Sequence, residues 1–341
     1  MRLSAPEVRI VDVESCDFAL MPGYDTETVL RVAHPDDWRR YLASDVSRRL
    51  MEELGVTRRY LTHLPGSVPD PRRLNALDLA RSAVQRLQVR RARELERLDA
   101  LIFVSTSNPN PCNCQAALLA EQCGLRASCL DLKAGCSGGV LGLVQAALLV
   151  QAGCHRVLVV MAENLSQLTA PADLRMLLTV GDGAACVLVE RAPGPGFRAM
   201  IHGTAPEYAS SIAVRTAFPP SSPDAHYVFE SHATPSAKGF LHDRWRALFH
   251  ESLAAGGLVP ADLAGWFFHQ THRAQVDDLL ADTGVAPARA VSVIREHGNM
   301  GSPTFAVAMA RAFADLQPGQ RYLMQAVGGG MSWCAILAEH C

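Results

Sequence analysis

The sequence predicts an α/β layered fold built from two halves of similar construction. Three observations carry this prediction: β-branched runs alternate with helical patterns, a glycine-rich turn opens a helix in each half, and a Pro/Gly-rich connection lies near the middle. Of the 341 residues, 49% are hydrophobic and 19% are charged. This length and composition suffice for a large buried core and fit one large domain or two fused ones.

The individual elements follow from the spacing of apolar residues. Short apolar runs rich in β-branched residues predict strands that are covered on both faces. The predicted strands are Val8–Val13, Ala100–Ser105, Ser128–Leu132, Arg156–Ala162, Ala184–Glu190, Gly265–Gln270, Tyr322–Val327 and Cys334–Ala338. The predicted helices are Trp38–Leu54, Asn75–Gln88, Cys112–Gln122, Gly139–Gln151, Asp243–Ala255, Arg273–Thr283 and Thr304–Leu316.

The division into halves is predicted at the segment Arg191–Phe197 (RAPGPGF), which gives an N-terminal half of residues 1–192 and a C-terminal half of residues 193–341. In each half a glycine-rich turn opens a helix that is followed by a strand, which predicts internal pseudo-symmetry. The segment Ile212–Lys238 is rich in Ser, Pro and His and lacks periodicity, so we expect a loop that covers a cleft.

Charge and cysteine usage narrow the class of protein. The net charge of −2 does not favour nucleic acid, and no apolar run reaches the roughly 18 residues that a membrane span needs. The ten cysteines are irregularly spaced and no apolar signal segment opens the chain. We therefore expect a soluble, reduced, cytoplasmic protein.

A candidate nucleophile lies in the glycine-rich turn of the first half. Cys136 follows the predicted strand Ser128–Leu132 and precedes an apolar helix. A cysteine at a helix N-terminus meets the positive end of the helix dipole and free backbone N–H groups, which favour the reactive thiolate. The alternative is an inert, buried cysteine, which is the common fate of free thiols.

Two polar residues of the second half complete a candidate constellation. His269 ends an apolar strand, a good position for a catalytic base, and Asn299 lies in the turn before the helix Thr304–Leu316. Taken singly, His269 is equally consistent with a structural histidine, and Asn299 is typical of a helix cap or left-handed turn. Together with Cys136 they supply a nucleophile, a base and an amide donor.

The order of these motifs resembles ketoacyl-acyl-carrier-protein synthase III of the thiolase superfamily. The resemblance covers roughly residues 50–341 and rests on Cys136 in its strand–turn–helix, Val180-Gly181-Asp182-Gly183-Ala184, His269-Gln270, Gly298-Asn299 and Val327–Trp333 (VGGGMSW). It implies a thiolase-like fold with two pseudo-symmetric βαβαβ-type halves in five layers, α/β/α/β/α. It also implies an acyltransferase of the ketosynthase type.

The resemblance implies a role for each motif residue. Cys136 would attack an acyl thioester and hold the acyl group, and a second carrier-bound thioester would then attack it. His269 and Asn299 would hydrogen-bond the carbonyl of that second thioester and stabilise its enolate oxygen. The backbone N–H groups of Cys136 and Gly329 would form the oxyanion hole for the first acyl group. Asp182 is expected to organise a turn.

Departures from the family pattern concern the acyl donor. Glu53 stands where acetyl-CoA-using relatives carry an arginine that grips the CoA nucleotide, and Leu174, followed by Arg175, stands where a second is expected. We therefore expect acyl-carrier-protein thioesters as substrates, with acyl-CoA as the other option. Four arginines either contact an acidic carrier or form a solvated basic surface: Arg58, Arg59, Arg72 and Arg73.

Further expectations concern assembly and bound groups. Family members are homodimers, so we expect a dimer here, helped by the apolar strand Arg156–Ala162. His297 either tunes His269, contacts substrate or caps a turn. No spacing among His269, His272, His297 and Cys136 matches a metal motif, so neither a metal nor a cofactor is expected.

Three functions remain under consideration. The leading hypothesis is Claisen-type condensation of the acyl group on Cys136 with a second acyl-carrier-protein thioester, in fatty acid or polyketide natural-product biosynthesis. Its variants start chains from an unusual acyl unit or join two β-ketoacyl chains, as α-pyrone-forming relatives do. The alternative is acyl transfer to a hydroxyl or amine without a new C–C bond. A non-catalytic partner subunit is disfavoured, because such subunits often lose the cysteine or the histidine and this chain keeps Cys136 and His269.

Overall fold

The computed structural model describes residues 1–68, 70, 72–110, 112–215 and 228–341. Residues 216–227 of the predicted loop Ile212–Lys238 lie outside the described residues. The strands are β1 (Arg2–Ala5), β2 (Val8–Ser15), β3 (Gly23–Tyr24), β4 (Arg59–Tyr60), β5 (Ala100–Val104), β6 (Ser128–Leu132), β7 (Arg156–Asn164), β8 (Asp182–Arg191), β9 (Phe197–Thr204), β10 (Ile212–Arg215), β11 (Val228–Ser231), β12 (Leu263–Phe268), β13 (Arg321–Gly328) and β14 (Ser332–Glu339). The α-helices are α1 (Thr26–Ala33), α2 (Trp38–Ala43), α3 (Asp45–Leu54), α4 (Ala76–Leu95), α5 (Gln115–Cys123), α6 (Gly138–Gln151), α7 (Leu174–Thr179), α8 (Pro235–Gly256), α9 (Arg273–Thr283), α10 (Ile294–His297) and α11 (Thr304–Ala310).

Two five-stranded mixed sheets form the framework. The first sheet has the order β2-β8-β7-β5-β6 and the second has the order β1-β9-β14-β13-β12. Four strands of each sheet correspond. In the first sheet, the pairs β2·β8 and β8·β7 are antiparallel and the pair β7·β5 is parallel. In the second sheet, the pairs β9·β14 and β14·β13 are antiparallel and the pair β13·β12 is parallel. This correspondence is the pseudo-symmetry that the sequence predicts. The fifth strands differ, because β6 extends the first sheet and β1 extends the second.

The hydrophobic clusters define five layers. One cluster joins α6 and α11 to the facing sides of both sheets, so these two helices lie between the sheets. A second cluster packs α4 and α5 on the outer side of the first sheet, and a third packs α8 and α9 on the outer side of the second. The α/β/α/β/α thiolase-like arrangement is therefore confirmed. Because α6 is enclosed on all sides, its sequence is apolar all round.

The predicted strands are all present, with ends that shift by at most two residues. The sequence-based prediction missed β1 and β9, in which charged or polar residues interrupt the apolar pattern, and it treated β10, β11 and the start of α8 as loop. The helix predicted over Trp38–Leu54 is wrong as one element: Ser44 is extended (φ −68°, ψ 131°) and separates α2 from α3. Other helix ends differ from prediction, since α4 runs on to Leu95 and α11 stops at Ala310.

The expectation that Arg156–Ala162 helps a dimer form is wrong. This segment lies in β7, which is hydrogen-bonded to β5 on one side and to β8 on the other. Its residues from Val157 onward are buried within the single chain. The strands at the two ends of the first sheet are β2 and β6.

The division of the chain after residue 192 stays a prediction. Although β1 is the first strand in the sequence, it pairs with β9 of the second sheet. All ten cysteines are free thiols. In the described part of the chain, no helix is both long and apolar enough to cross a membrane.

Candidate active site

Cys136 lies in a single 3-10 turn, Gly135–Ser137, that leads directly into α6. The hydroxyl of Ser137 donates to the carbonyl oxygen of Ala134 at 3.0 Å and hydrogen-bonds the hydroxyl of Ser332 at 2.6 Å. Gly135 has φ +56°, and a Cβ there would lie 2.5 Å from the carbonyl oxygen of Gly329. The nucleophile turn therefore depends on glycine and is tied to the turn between β13 and β14.

The turn between β13 and β14 presents its backbone to Cys136. A Cβ on Gly328 would lie 2.6 Å from the Cβ of Cys136, so only glycine lets the two segments come this close. The backbone groups of Gly329 and Cys136 lower the pKa of the Cys136 thiol, and Ile212 packs over Gly329. These are the two backbone groups predicted for the oxyanion hole, and that role stays a prediction.

The expected thiolate is not the resting form of Cys136. Although the residue keeps some exposed surface, its thiol is enclosed, and burial raises the pKa of Cys136 to about 11. The backbone groups of Gly329 and Cys136 lower this pKa, whereas the negative charge of Glu163 raises it further. Desolvation therefore outweighs the helix N-terminus, and Cys136 rests as a neutral thiol.

His269 directly follows β12, where its backbone N–H donates to the carbonyl oxygen of Gln325 at 2.9 Å. The side chain is buried, and neither ring nitrogen has a hydrogen-bond partner of normal geometry among the described residues. Burial lowers the pKa of His269 to about 4, and a backbone interaction with Gly301 only partly opposes this shift. The ring is therefore neutral and can donate from one nitrogen and accept at the other.

Asn299 is held by three hydrogen bonds. Its Oδ1 accepts from the backbone N–H of Gly301 at 2.9 Å. Its own N–H donates to Thr179 at 2.8 Å, and its carbonyl oxygen accepts from Gly181 at 3.0 Å. Because Gly301 occupies the amide oxygen, Nδ2 is left as a donor to the site.

Gln270 fixes the segment that leads to Asn299. This fully buried side chain donates to the carbonyl oxygen of Val291 at 2.8 Å. Its Oε1 accepts from the N–H groups of Val293 at 2.9 Å and Ile294 at 3.2 Å, at the start of α10. The Gln270 amide thus joins the end of β12 to the helix before the Asn299 turn.

The described contacts place the predicted site residues in two groups. Cys136 lies with Gly328 and Gly329, and His269 lies with Asn299 through Gly301. The helix that follows Cys136 approaches the turn that carries Asn299, because a Cβ on Gly139, in the first turn of α6, would lie 2.5 Å from the carbonyl oxygen of Ser302.

The sequence-based prediction missed Glu163, at the end of β7. This carboxylate is 1% exposed and its charge acts on the thiol of Cys136. It accepts hydrogen bonds from the segment after β5 and from Ser302 after Asn299. The sequence feature that could have revealed Glu163 is an acidic residue directly after a wholly apolar run. An acidic side chain is rarely buried unless it is well paired, so this position suggests a buried hydrogen-bonding role.

Asp182 is a structural carboxylate. It is fully buried and accepts from the N–H and hydroxyl of Thr62, at 2.6 and 2.9 Å, and from those of Ser166, at 2.9 and 2.5 Å.

His297 packs edge-on to Phe18, with ring centroids 4.4 Å apart, and burial lowers its pKa to about 4. Its ring nitrogens lie 3.4 Å from the guanidinium of Arg311, so its described contacts are those of a packing residue.

The interpretation of Arg59 as a carrier contact or solvated charge is wrong. Arg59 is fully buried and donates to the hydroxyl of Thr26 at 2.8 Å and to the carbonyl oxygen of Val56 at 3.2 Å. Burial lowers its pKa to about 10. Arg58 is exposed and stacks 5.0 Å over the ring of Tyr60, and Arg72 is exposed as well.

The two positions that depart from the CoA pattern lie close together. Glu53 forms an ion pair of 2.5 Å with Arg175, and His272 lies 3.7 Å from the same carboxylate. Arg175 thus engages a carboxylate of its own chain. Elsewhere, no group of three or more His, Cys, Asp or Glu side chains within the described ranges is arranged to hold a metal ion.

Comparisons with known proteins agree with this geometry. Residues 130–204 match the family model of 3-oxoacyl-[acyl-carrier-protein (ACP)] synthase III, and residues 253–340 match its C-terminal model. A beta-ketoacyl-[acyl-carrier-protein] synthase III from Gloeobacter violaceus is 30% identical over 261 residues, which cover 70% of this chain and 76% of the relative.

Solved structures share the fold over nearly the whole length. The 3-oxoacyl-(acyl-carrier protein) synthase from Burkholderia xenovorans matches with a TM-score of 0.82 at 22% identity. The match covers 100% of this chain and 96% of the Burkholderia chain. The priming β-ketosynthase of the R1128 polyketide pathway has a TM-score of 0.81 at 20% identity, over 99% and 97% of the two chains. With its two five-stranded sheets and a cysteine at the head of the central helix, this chain belongs to the β-ketoacyl-acyl-carrier-protein synthase III family of acyltransferases.

Proposed function

We propose that this chain condenses an acyl group held on Cys136 with a second acyl-carrier-protein thioester. The observation that carries the proposal is the pair of unused hydrogen-bonding groups on His269 and Asn299. Neither ring nitrogen of His269 has a hydrogen-bond partner of normal geometry in the described part of the chain, and the amide oxygen of Asn299 is occupied by Gly301, which leaves its N–H₂ group to donate. Buried polar groups without partners are costly, so a ligand that pairs with both is favoured.

In the first half-reaction, the Cys136 sulfur attacks the thioester carbonyl of the donor. The thiol proton leaves as the sulfur–carbon bond forms, and a neutral His269 can accept it. The backbone N–H groups of Cys136 and Gly329 stabilise the oxyanion of the tetrahedral intermediate. The donor thiol then departs with a proton, and the acyl group remains on Cys136.

In the second half-reaction, a carrier-bound thioester loses carbon dioxide, or an α-proton that passes to water, and becomes an enolate. The N–H groups of His269 and Asn299 donate to the enolate oxygen, and each such donor is worth about 3–4 kcal/mol in the transition state. The enolate carbon attacks the Cys136 thioester, the new C–C bond forms, and the Cys136 thiolate leaves. Because burial disfavours this thiolate, it takes up a proton again.

We propose that carrier proteins rather than free CoA deliver the substrates. The ion pair of Glu53 with Arg175 supports this, because Arg175 already engages a carboxylate of its own chain.

We place the reaction in polyketide or related natural-product assembly. The variants that start from an unusual acyl unit or join two β-ketoacyl chains both fit delivery by carriers. The fold shared with the R1128 priming ketosynthase is compatible with this placement. Ten free thiols suit a reducing cytoplasm.

The experiment that tests the proposal is a loading panel. The protein is incubated with acyl-CoA and acyl-carrier-protein thioesters of several chain lengths, and its intact mass is recorded. We expect an acyl adduct from carrier donors that Cys136→Ala abolishes. Absence of any adduct, or the same adduct on Cys136→Ala, contradicts the nucleophile assignment. Faster loading from acyl-CoA than from carriers contradicts the proposed donor.

A second step separates condensation from simple acyl transfer. The loaded enzyme is mixed with malonyl- or β-ketoacyl-carrier protein, and the products are analysed by mass. A product in which the two acyl units share a new C–C bond is expected. Release of the acyl group onto a hydroxyl or amine acceptor, without that bond, identifies the alternative function.

A further inference from the structure

Glu163 is a buried ionisable group for which the proposed mechanism has no use. It is 1% exposed, and its hydrogen-bond partners among the described residues are all donors. The six donor groups are the hydroxyls of Ser105, Ser107 and Ser302, the hydroxyl and N–H of Thr106, and the N–H of Ser107. A carboxylate can accept all of these bonds at once, whereas a neutral acid would have to donate one.

The donors come from both halves of the molecule. Ser105, Thr106 and Ser107 directly follow β5 in the first sheet, and the shortest bond to them is 2.6 Å. Ser302, at 3.0 Å, belongs to the turn that carries Asn299. Glu163 is therefore a hydrogen-bonded bridge between the first half and the Asn299 turn.

The turn itself lies against the Glu163 side chain. Gly301 has φ +69°, and a Cβ there would lie 3.3 Å from Cγ of Glu163. The N–H of this same Gly301 donates to Oδ1 of Asn299, and its backbone interacts with the ring of His269. A shift of Glu163 would thus move the residue that orients both proposed donors.

Glu163 also acts on the nucleophile through its charge. Burial is the largest cause that raises the pKa of the Cys136 thiol, the negative charge of Glu163 raises it further, and the backbone amides of Gly329 and Cys136 oppose both. The ring of His269 is neutral and adds no charge near pH 7.

We propose that Glu163 is a positioning residue for condensation: it holds the Asn299 turn in register with the first half. Its negative charge adds to the burial that keeps Cys136 protonated. This inference rests on the proposed function for its kinetic part only. Protonated Cys136 is protected from solution electrophiles, because the thiolate is the reactive form.

The test compares Glu163→Gln, Glu163→Asp and Ser302→Ala with the wild-type protein. The first readout is alkylation of Cys136 by iodoacetamide between pH 7 and pH 10, which needs no substrate. We expect Glu163→Gln to react faster than the wild type at a given pH, by about tenfold for each pKa unit that the thiol loses. Ser302→Ala and Glu163→Asp keep the charge and should follow the wild-type pH profile. An unchanged profile for Glu163→Gln overturns the electrostatic part.

The second readout separates loading from condensation. We expect Glu163→Gln and Ser302→Ala to load Cys136 no more slowly than the wild type but to condense about a hundredfold more slowly, the cost of a displacement of about 1 Å at a reacting group. Glu163→Asp should recover part of the loss. Equal losses in both half-reactions, or full condensation by Ser302→Ala, overturn the positioning role. A wild-type protein that never loads refutes the proposed function and leaves the alkylation result valid.

Asp182→Asn is the matched control. Asp182 is also a fully buried carboxylate that accepts from backbone and hydroxyl donors, but its field does not reach Cys136. We expect its thermal midpoint to fall while its alkylation profile stays that of the wild type. If Asp182→Asn accelerates alkylation as Glu163→Gln does, general loosening explains both variants and the proposal fails.

Discussion

His269 combines burial with two ring nitrogens that lack partners in the described part of the chain. Such a residue destabilises the free protein, since an unsatisfied buried polar group costs roughly 1–3 kcal/mol. The amide of Asn299, by contrast, has its oxygen anchored at 2.9 Å, which leaves its nitrogen to donate to a ligand. A bound thioester oxygen would accept hydrogen bonds from both residues at once. The unpaired groups therefore destabilise the free enzyme, and binding of the substrate removes this destabilisation.

The role of Asn299 as a donor is tested by two substitutions. Asn299→Ala removes the N–H₂ group, and we expect condensation to slow by about 10²–10³-fold, as for other single oxyanion donors. Asn299→Asp keeps an oxygen for the N–H of Gly301 but has no donor, so it should be at least as slow. Both variants should still load Cys136. Single-turnover loading and steady-state condensation provide the measurements, and a fast Asn299→Asp enzyme would show that the donor is dispensable.

The buried histidines make the stability of the protein depend on pH. Burial lowers the pKa values of His269 and His297 from 6.5 to about 4. Between these pH values the unfolded chain binds protons that the folded chain does not, so the free energy of unfolding falls as the pH falls from 6.5 to 4. Each residue contributes up to roughly 3 kcal/mol to this loss.

His297→Phe checks this dependence without touching the proposed chemistry. Phenylalanine can keep the contact with Phe18, whose ring centroid is 4.4 Å from that of His297. We expect urea unfolding of the variant to show a smaller loss of stability between pH 6.5 and pH 4 than the wild type. The same slope in both proteins would mean that His297 takes up its proton in the folded state.

At the scale of elements, two turns hold the nucleophile. The turn before α6 and the turn between β13 and β14 approach so closely that Gly135 and Gly328 leave no room for a Cβ. The hydroxyls of Ser137 and Ser332, 2.6 Å apart, bridge the same two turns. The position of Cys136 is therefore set by the second half of the chain as well as by α6.

Gly328→Ala tests this arrangement, with Gly330→Ala as its control. A Cβ at position 328 would lie 2.6 Å from Cβ of Cys136, whereas one at position 330 has nothing within 4 Å. Gly330 has φ +76°, so its alanine variant should lose about 1–2 kcal/mol of stability through backbone strain. We expect Gly328→Ala to load Cys136 about a hundredfold more slowly and Gly330→Ala to load at a near wild-type rate. Equal loading rates would contradict the close packing of the turns.

At the scale of the whole molecule, the two sheet ends of the first half differ. Along β2, Asp12 and Glu14 are engaged by arginines of α4, and charged groups at an edge oppose further pairing. At the other end, β6 has no strand partner on its outer side among the described residues and carries the half-buried Leu130 and Leu132. We propose that the expected homodimer forms along β6.

Light scattering during gel filtration measures this assembly directly. We expect a particle of twice the 36.8 kDa chain mass. Leu130→Lys places a charge on the edge strand and should reduce the mass to that of a monomer, with unchanged circular dichroism. Ser4→Lys adds a charge on β1, at the end of the second sheet, and should leave the dimer intact. A monomeric wild-type protein contradicts the proposal.

Local sequence determined much of this protein. Strand and helix periodicity and the glycine-rich turns are properties of neighbouring residues, and they predicted the α/β class. The order along the chain of the motifs around Cys136, His269 and Asn299 carried the resemblance to the family, which implied the layers. The breaks between short helices and the strands β1 and β9 were missed, because their patterns are weak without the sheets that they join.

Tertiary structure alone decided the properties that depend on residues distant in sequence. Arg59 reads as a surface charge and is fully buried, and β7 reads as an interface strand and is enclosed by two others. The Cys136 thiol is neutral because desolvation and the charge of Glu163 raise its pKa more than two backbone amides lower it. The local sequence pattern does not reveal this balance. Periodicity reports which face of an element is apolar, whereas burial, charge and hydrogen bonding are fixed only when the two halves pack together.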